Sequence, residues 1–401
     1  MYNPHAMSEH YRLISPETGE PIANDVDPFE WPPGLRARFD LERVRESVDR
    51  ASIAEGPPSL WRYAPLLPVA DPDRAVTLSE GWTPMLPALG LARELGLKRL
   101  LVKDEGRNPT GTFKDRGASV GVTRLRELGV RRVALASSGN AGAAWAIYSA
   151  RGGIECLSVL PDDVLGGSLN QCVLSGADTL RVEGRWQSAG GILKEEARSG
   201  SWFNVSTLRE PFRLEGKKTM GFEIAEQLGW ELPDVLVYPT GGGLGPIAIY
   251  KAFEELLELG WVEGSLPRLV ITQYEGCAPI VRAFREDDES VRPWDDIRIL
   301  PGGLKAATPP GGDEVLARIR ETGGTAYTVS TDEALDAVGH LTRVEGIFAC
   351  PESATTIVGL RRAIEDGHVA PSDRVVVVST GHGLKSVANL RRPETRRAPG
   401  G

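Results

Sequence analysis

The chain has 401 residues, 41% of them apolar and 25% charged, with a formal net charge of −9, the proportions of a water-soluble globular protein long enough for two or three domains. No apolar run approaches the roughly 20 residues of a membrane span, and the acidic balance, without a basic stripe, argues against nucleic acid as a partner. The opening MYNPHAMSEHYRL lacks the parts of a secretory signal, and the four scattered cysteines, Cys156, Cys172, Cys277 and Cys350, form neither a zinc-spaced set nor a disulfide framework, which fits the cytoplasm.

Residues 1–50 are rich in turn formers and poor in periodic pattern. They carry no ligand-spaced Cys and His, so no metal is expected there. Further on, short apolar runs predict strands at residues 99–103, 133–136, 155–160, 179–182, 235–238, 269–272 and 374–379. Each is nearly continuously apolar, as in strands buried on both faces. Between them lie helical patterns such as GLGPIAIYKAFEELLEL at 243–259. Alternating strands and helices predict an α/β fold with mostly parallel sheets flanked by helices. The Arg-rich end, RRPETRRAPG, reads as a solvated tail.

Several strand-to-helix loops carry candidate chemistry. In NPTGTFKDRG, residues 108–117, a turn precedes Lys114 at a helix start, where the positive end of the helix dipole eases loss of the amine proton. Ser137 to Gly142, SSGNAG, follows the strand VALA; it reads either as a capped turn or as an anion site of free N–H groups. Thr240 to Gly245, TGGGLG, places four glycines in five positions between a strand and a long helix. That is a chain-entropy cost suited to a phosphate-binding nest. It is neither a Walker loop nor a dinucleotide fingerprint. Thr380 and His382, in STGHGLK, follow the strand VVVVS; the Thr380 hydroxyl either faces the crevice at the strand ends or caps a turn, and His382 reads as a structural hydrogen bonder.

Taken together, these loops resemble the fold-type II pyridoxal-phosphate enzymes, and most closely the threonine synthase family. The resemblance runs from about Leu60 through LWRYAPLLPV, SEGWTPMLP, VKDEGRNPTGTFKDRG, SSGNAG, FRLEGKKTMGFEI, GGGLG, EGCAPIVRAF, EGIFACPESA and TGHGLK. It implies a two-domain fold: a large cofactor-binding domain from 51–125 and 213–401, a small domain from 126–212, and an N-terminal arm or metal-free remnant of a zinc ribbon at 1–50.

The resemblance also implies residue roles. Lys114 would hold pyridoxal 5'-phosphate as a Schiff base and then move protons. Phe113 would lie near the cofactor ring, and Asn140 would bond its phenolic oxygen. Gly241, Gly242, Gly243, Leu244 and Gly245 would hold its phosphate, and Thr380 would face its pyridine nitrogen. Ser137, Ser138 and the Asn140–Ala141 backbone would take the substrate carboxylate, and Arg213 a substrate phosphate. The implied reaction converts O-phosphohomoserine and water to threonine and phosphate. The expected assembly is a homodimer acting on a small phosphorylated amino acid.

Two departures stand out. The family's Asn-Ser-x-Asn-Pro-x-Arg run is here Thr207-Leu-Arg-Glu-Pro-Phe-Arg213, so Leu208 and Glu210 replace small polar residues, and Glu210 would repel a phosphate unless Arg209 or Lys217 offsets it. YRLISPETGEPIANDV has no cysteine where many relatives carry a zinc ribbon; it is either a metal-free hairpin or an arm. The first departure keeps open an alternative reaction, β-elimination or β-replacement on another amino acid, as in serine and threonine dehydratases or enzymes that use O-phosphoserine.

Overall fold

The computed structural model describes residues 10–23, 26–183, 190–193, 195 and 202–390. The Arg-rich tail lies outside them. In chain order the strands are β1 (Tyr11–Ile14), β2 (Arg36–Phe39), β3 (Met85–Pro87), β4 (Arg99–Asp104), β5 (Arg132–Ala136), β6 (Glu155–Pro161), β7 (Asp178–Val182), β8 (Phe203–Asn204), β9 (Val235–Pro239), β10 (Arg268–Tyr274), β11 (Thr325–Val329) and β12 (Arg374–Ser379).

Two sheets position the site. The larger has the order β11-β10-β9-β12-β4-β3 and is parallel except for β3 at its edge. Val376 sits at its centre, opposite Leu101 on one side and Leu236 on the other. The smaller sheet has the order β7-β6-β5-β8 and is parallel throughout. Helices cover the strands, which explains why β9 and β12 are buried along nearly their whole length.

All the strands predicted between residues 99 and 379 are present, with ends shifted by a residue or two. The helix predicted at 243–259 is Leu244–Glu258. β11 went unpredicted because TAYTV mixes polar and apolar residues, which an edge strand tolerates. The N-terminal segment has more structure than its composition suggested. β1 and β2 form an antiparallel ribbon with Tyr11 opposite Phe39. Tyr11 and Leu13 are buried in the main core.

Two helices cross closely behind the site, Lys114–Glu127 and Phe212–Gln227. A Cβ at Gly216 would come within 2.1 Å of the Arg116 carbonyl oxygen, so only glycine permits this approach. A buried ion cluster locks the crossing. Arg116 bonds Glu105 at 2.7 Å and Glu223 at 2.6 Å, and Lys103 bonds Glu223 at 2.6 Å.

Candidate active site

The loops at the strand ends converge on one cavity of about 470 Å³. It is lined by Phe113, Lys114, Ser137, Ser138, Asn140, Ala141, Arg213, Gly241 to Gly245 and Thr380, whereas His382 is not among its lining residues.

Lys114 opens its helix after a turn tied to the strand-end loop beyond β12. Phe113 N–H donates to the Thr380 carbonyl oxygen at 3.1 Å, and His382 N–H to that of Gly111 at 2.9 Å. Asp115 folds back to accept from Thr110 N–H at 2.7 Å. The Lys114 ammonium lies 4.1 Å from the Phe113 ring centroid. Burial first, and then the nearby Arg213 guanidinium, push the Lys114 amine down to about 7. Such an amine is largely free to act as nucleophile or base near neutrality.

On the other strand ends, the Ser137 hydroxyl accepts from Gly139 N–H at 3.1 Å and Gly142 N–H at 2.9 Å, so it caps the Asn140–Gly152 helix and keeps its own proton to donate. The Asn140 side-chain oxygen accepts from the Ser168 hydroxyl at 3.0 Å. Thr380 is buried, with its hydroxyl 3.2 Å from that of Ser353. His382 is a cap: its Nδ1 accepts from Leu384 N–H at 3.1 Å.

Gly243 has φ +91°, and a Cβ there would meet the Gly311 carbonyl oxygen at 2.8 Å. No side chain caps the helix that follows. The loop therefore presents free amides at a helix N-terminus, the arrangement of an anion cradle.

Arg213 is not the surface residue its neighbours Glu210 and Glu215 could have made it. It is 3% exposed, donates from Nη1 to the Val205 carbonyl oxygen at 2.7 Å and stands 3.8 Å from Glu210. Glu215 instead pairs with Lys218 and Lys251. Nor does Glu210 confront the cavity, as its position in the altered run suggested. Its carboxylate accepts from Phe212 N–H at 2.6 Å and Arg213 N–H at 3.1 Å, capping the helix start. Burial outweighs Arg213 there and pushes Glu210 up to about 7.

The pattern of the family described as "Pyridoxal-phosphate dependent enzyme" matches residues 76–381. The chain is 39% identical to the threonine synthase of Methanocaldococcus jannaschii over 88% of its own length and 86% of that protein's. It is 40% identical to the threonine synthase of Methanosarcina acetivorans over 86% and 84%. The chain belongs to the threonine synthase family of pyridoxal-phosphate-dependent enzymes. Its fold is shared with a fungal L-serine ammonia-lyase from Rhizomucor miehei, with a TM-score of 0.66 at 20% identity, covering 77% of this chain and 96% of that one.

For a member of the threonine synthase family, the cavity has the features its cofactor requires: a lysine with a depressed pKa, and a glycine cradle whose shape a Cβ would fill. A buried Tyr238 hydroxyl beneath the cradle has no protein partner. Among the described residues five cationic side chains line the space, Lys114, Arg209, Arg213, Lys217 and Lys305, against one carboxylate, Glu352. That excess suits phosphate dianions, although Lys305 is also paired with Asp163.

Tyr238, Lys305 and Glu352 are lining residues that the sequence did not single out, and Lys217 was named there only as a charge that could offset Glu210. Glu352 accepts from Gly303 N–H at 2.6 Å, and its second oxygen is buried without a protein partner. The quoted segments FRLEGKKTMGFEI and EGIFACPESA contained Lys217 and Glu352. Nothing local distinguishes either from a paired surface charge.

Proposed function

We propose that this protein is a threonine synthase, converting O-phosphohomoserine and water to threonine and inorganic phosphate. The observation that carries the reading, beside the family, is the excess of cationic side chains around the cavity. The Gly241–Gly245 cradle suits one phosphate, and Arg213 stands ready for another. Bound there, pyridoxal phosphate supplies an electron sink for charge that develops on the substrate carbons.

The protein's own groups do the rest. Lys114 is the attachment point of the cofactor and, once its amine is free, takes the substrate's α-proton and moves protons between its carbons. Ser137, Ser138 and the amides at Asn140 and Ala141 bind the substrate carboxylate at a helix N-terminus. Phe113 would lie against the cofactor ring, Asn140 would donate to its phenolic oxygen and Thr380 would face its ring nitrogen. Arg213 holds the terminal phosphate, so the C–O bond at the γ-carbon breaks with the leaving dianion already bound. Lys114 passes the proton it takes from the β-carbon to the γ-carbon, while water gives its hydroxyl to the β-carbon and its proton to the departing phosphate, which leaves as the hydrogen-phosphate dianion. The four cysteines are free and buried, which suits a reducing cytoplasm.

The alternative of β-elimination or β-replacement on another amino acid rested on the altered run at residues 207–210, of which the Glu210 carboxylate is taken up by helix capping. The test is to supply O-phosphohomoserine, O-phosphoserine and threonine separately to the reconstituted protein. Phosphate and threonine should form together from the first. Arg213→Ala should lower kcat/KM for it roughly ten- to a hundredfold, the worth of a charge-assisted bond of about 1.5–3 kcal/mol. Turnover of O-phosphoserine or threonine alone would overturn the reading.

A further inference from the structure

Lys217 and Lys218 are neighbours in sequence with opposite surroundings. Lys218 is fully buried and paired with Glu215 and Glu255, each at 2.8 Å. Lys217 is 2% exposed, yet among the described residues its ammonium makes no hydrogen bond or ion pair. It lines the cavity. Its Nζ lies 5.5 Å from the centroid of the Phe113 ring, which Lys114 approaches to 4.1 Å. Arg213 stands four residues earlier, so both cations project from one face of the Phe212–Gln227 helix.

A buried ammonium without a counter-charge is costly, and here two more cations crowd it. Burial, Arg213 and Lys114 all push Lys217 well below the ordinary lysine range, with only Glu210 opposing. A dianion between Arg213 and Lys217 relieves that repulsion. The candidates are the cofactor's phosphate and the substrate's. The first already has the amide nest at Gly241 to Gly245, and the substrate carboxylate has the helix start at Asn140. The altered run before Arg213 has meanwhile lost its small polar side chains to Leu208 and Glu210.

We propose that Lys217 is a specificity-determining residue which, with Arg213, forms a two-cation subsite for the terminal phosphate of the substrate. The inference rests on the proposed reading that the substrate is a phosphate monoester. The same pair would retain the phosphate after the γ C–O bond breaks, so inorganic phosphate should compete with substrate.

The holoenzyme and its Lys217→Gln and Lys217→Arg variants test this. Lys217→Gln should raise KM for O-phosphohomoserine about tenfold or more and weaken inorganic phosphate binding, read by calorimetry, by a similar factor. Lys217→Arg should recover most of both. Cofactor affinity should be unchanged, and the Tm of Lys217→Gln should equal or exceed that of wild type, because an unpaired buried charge has been removed. Unchanged KM and phosphate affinity would overturn the proposal. Lost cofactor affinity at unchanged KM would assign Lys217 to the cofactor's phosphate and overturn it equally. If wild type ignores O-phosphohomoserine, the reading of function fails, and phosphate titration still decides. Binding that weakens in Lys217→Gln supports the anion subsite, and no binding to wild type refutes it.

Discussion

The backbone N–H of Phe113 donates to the carbonyl oxygen of Thr380 at 3.1 Å, joining residues that lie far apart in the chain. The bond belongs to a short antiparallel bridge between Thr112 and Gly381. It ties the turn before Lys114 to the loop that leaves the central strand β12. The reactive amine and the Thr380 hydroxyl are thus held by one piece of rigid backbone, and the cavity floor is set before any ligand enters.

The depressed pKa of Lys114 gives a pH signature. Protonated lysine cannot attack an aldehyde, so capture of pyridoxal phosphate by the apoenzyme should accelerate as pH rises with a midpoint at about 7 and level off above it as the amine becomes free. Replacing Arg213 by Gln removes a like charge and should move the midpoint upward. Stopped-flow visible absorbance reads both. A midpoint near the ordinary lysine value of 10.5 would contradict the electrostatic account.

Two glycines of the cradle should respond unequally. Gly243→Ala forces a side chain into a left-handed conformation and against Gly311, at a cost of about 1–2 kcal/mol that should weaken cofactor binding roughly tenfold. At Gly242 the nearest atom to an added Cβ is 3.5 Å away, so Gly242→Ala should cost much less. Equal losses in a cofactor titration would mean that charge and access, rather than backbone shape, govern the loop.

The loops that line the cavity were legible in the sequence because each combines a strand end, small residues and a helix start, a local pattern with a physical reason. Glu352 was not, and Lys217 was legible only as a charge that could offset Glu210, because pairing is settled only by tertiary packing. Glu210 shows the reverse difficulty. Its charge beside Arg213 read as repulsion of a phosphate, whereas its direction, back into the helix start, is set by the local turn. The seven apolar strands declared themselves by continuous apolar runs, although the edge strand β7 is buried only at Val182; β1, β2 and β8 are too short for periodicity to register.

The N-terminal segment braces the run before Arg213. Gly34 N–H donates to the Leu208 carbonyl oxygen at 2.8 Å, and Leu208 has φ +58°. The Trp31 ring packs edge-on against Phe212 at 5.7 Å and Phe203 at 6.4 Å. Trp31→Ala should therefore raise KM for a phosphorylated substrate several-fold while leaving cofactor affinity intact. Steady-state kinetics beside cofactor titration separates the two effects, and a loss of cofactor affinity alone would argue against this bracing.

The ion cluster behind Lys114 should dominate acid stability. Burial raises the Glu223 pKa, but Arg116 and Lys103 outweigh it and hold the carboxyl at about 2, below the usual 4.5. Its stabilising effect is thus full above 4.5 and fades as pH falls through about 2. Breaking one member of such a buried set costs about 3–5 kcal/mol. Urea denaturation of Glu223→Gln should show that deficit at neutral pH and a narrowing gap from wild type toward acid. A gap independent of pH would contradict the charge account.

The central claim, that Lys114 carries the cofactor, is tested most directly by borohydride reduction of the reconstituted protein followed by peptide mass spectrometry. Reduction converts an imine to a stable secondary amine and marks the lysine that formed it. The account predicts one reduced pyridoxyl phosphate group per chain, on the peptide containing Lys114. A label on Lys217, the other lysine beside the Phe113 ring, or no label on a protein that binds the cofactor, would contradict it.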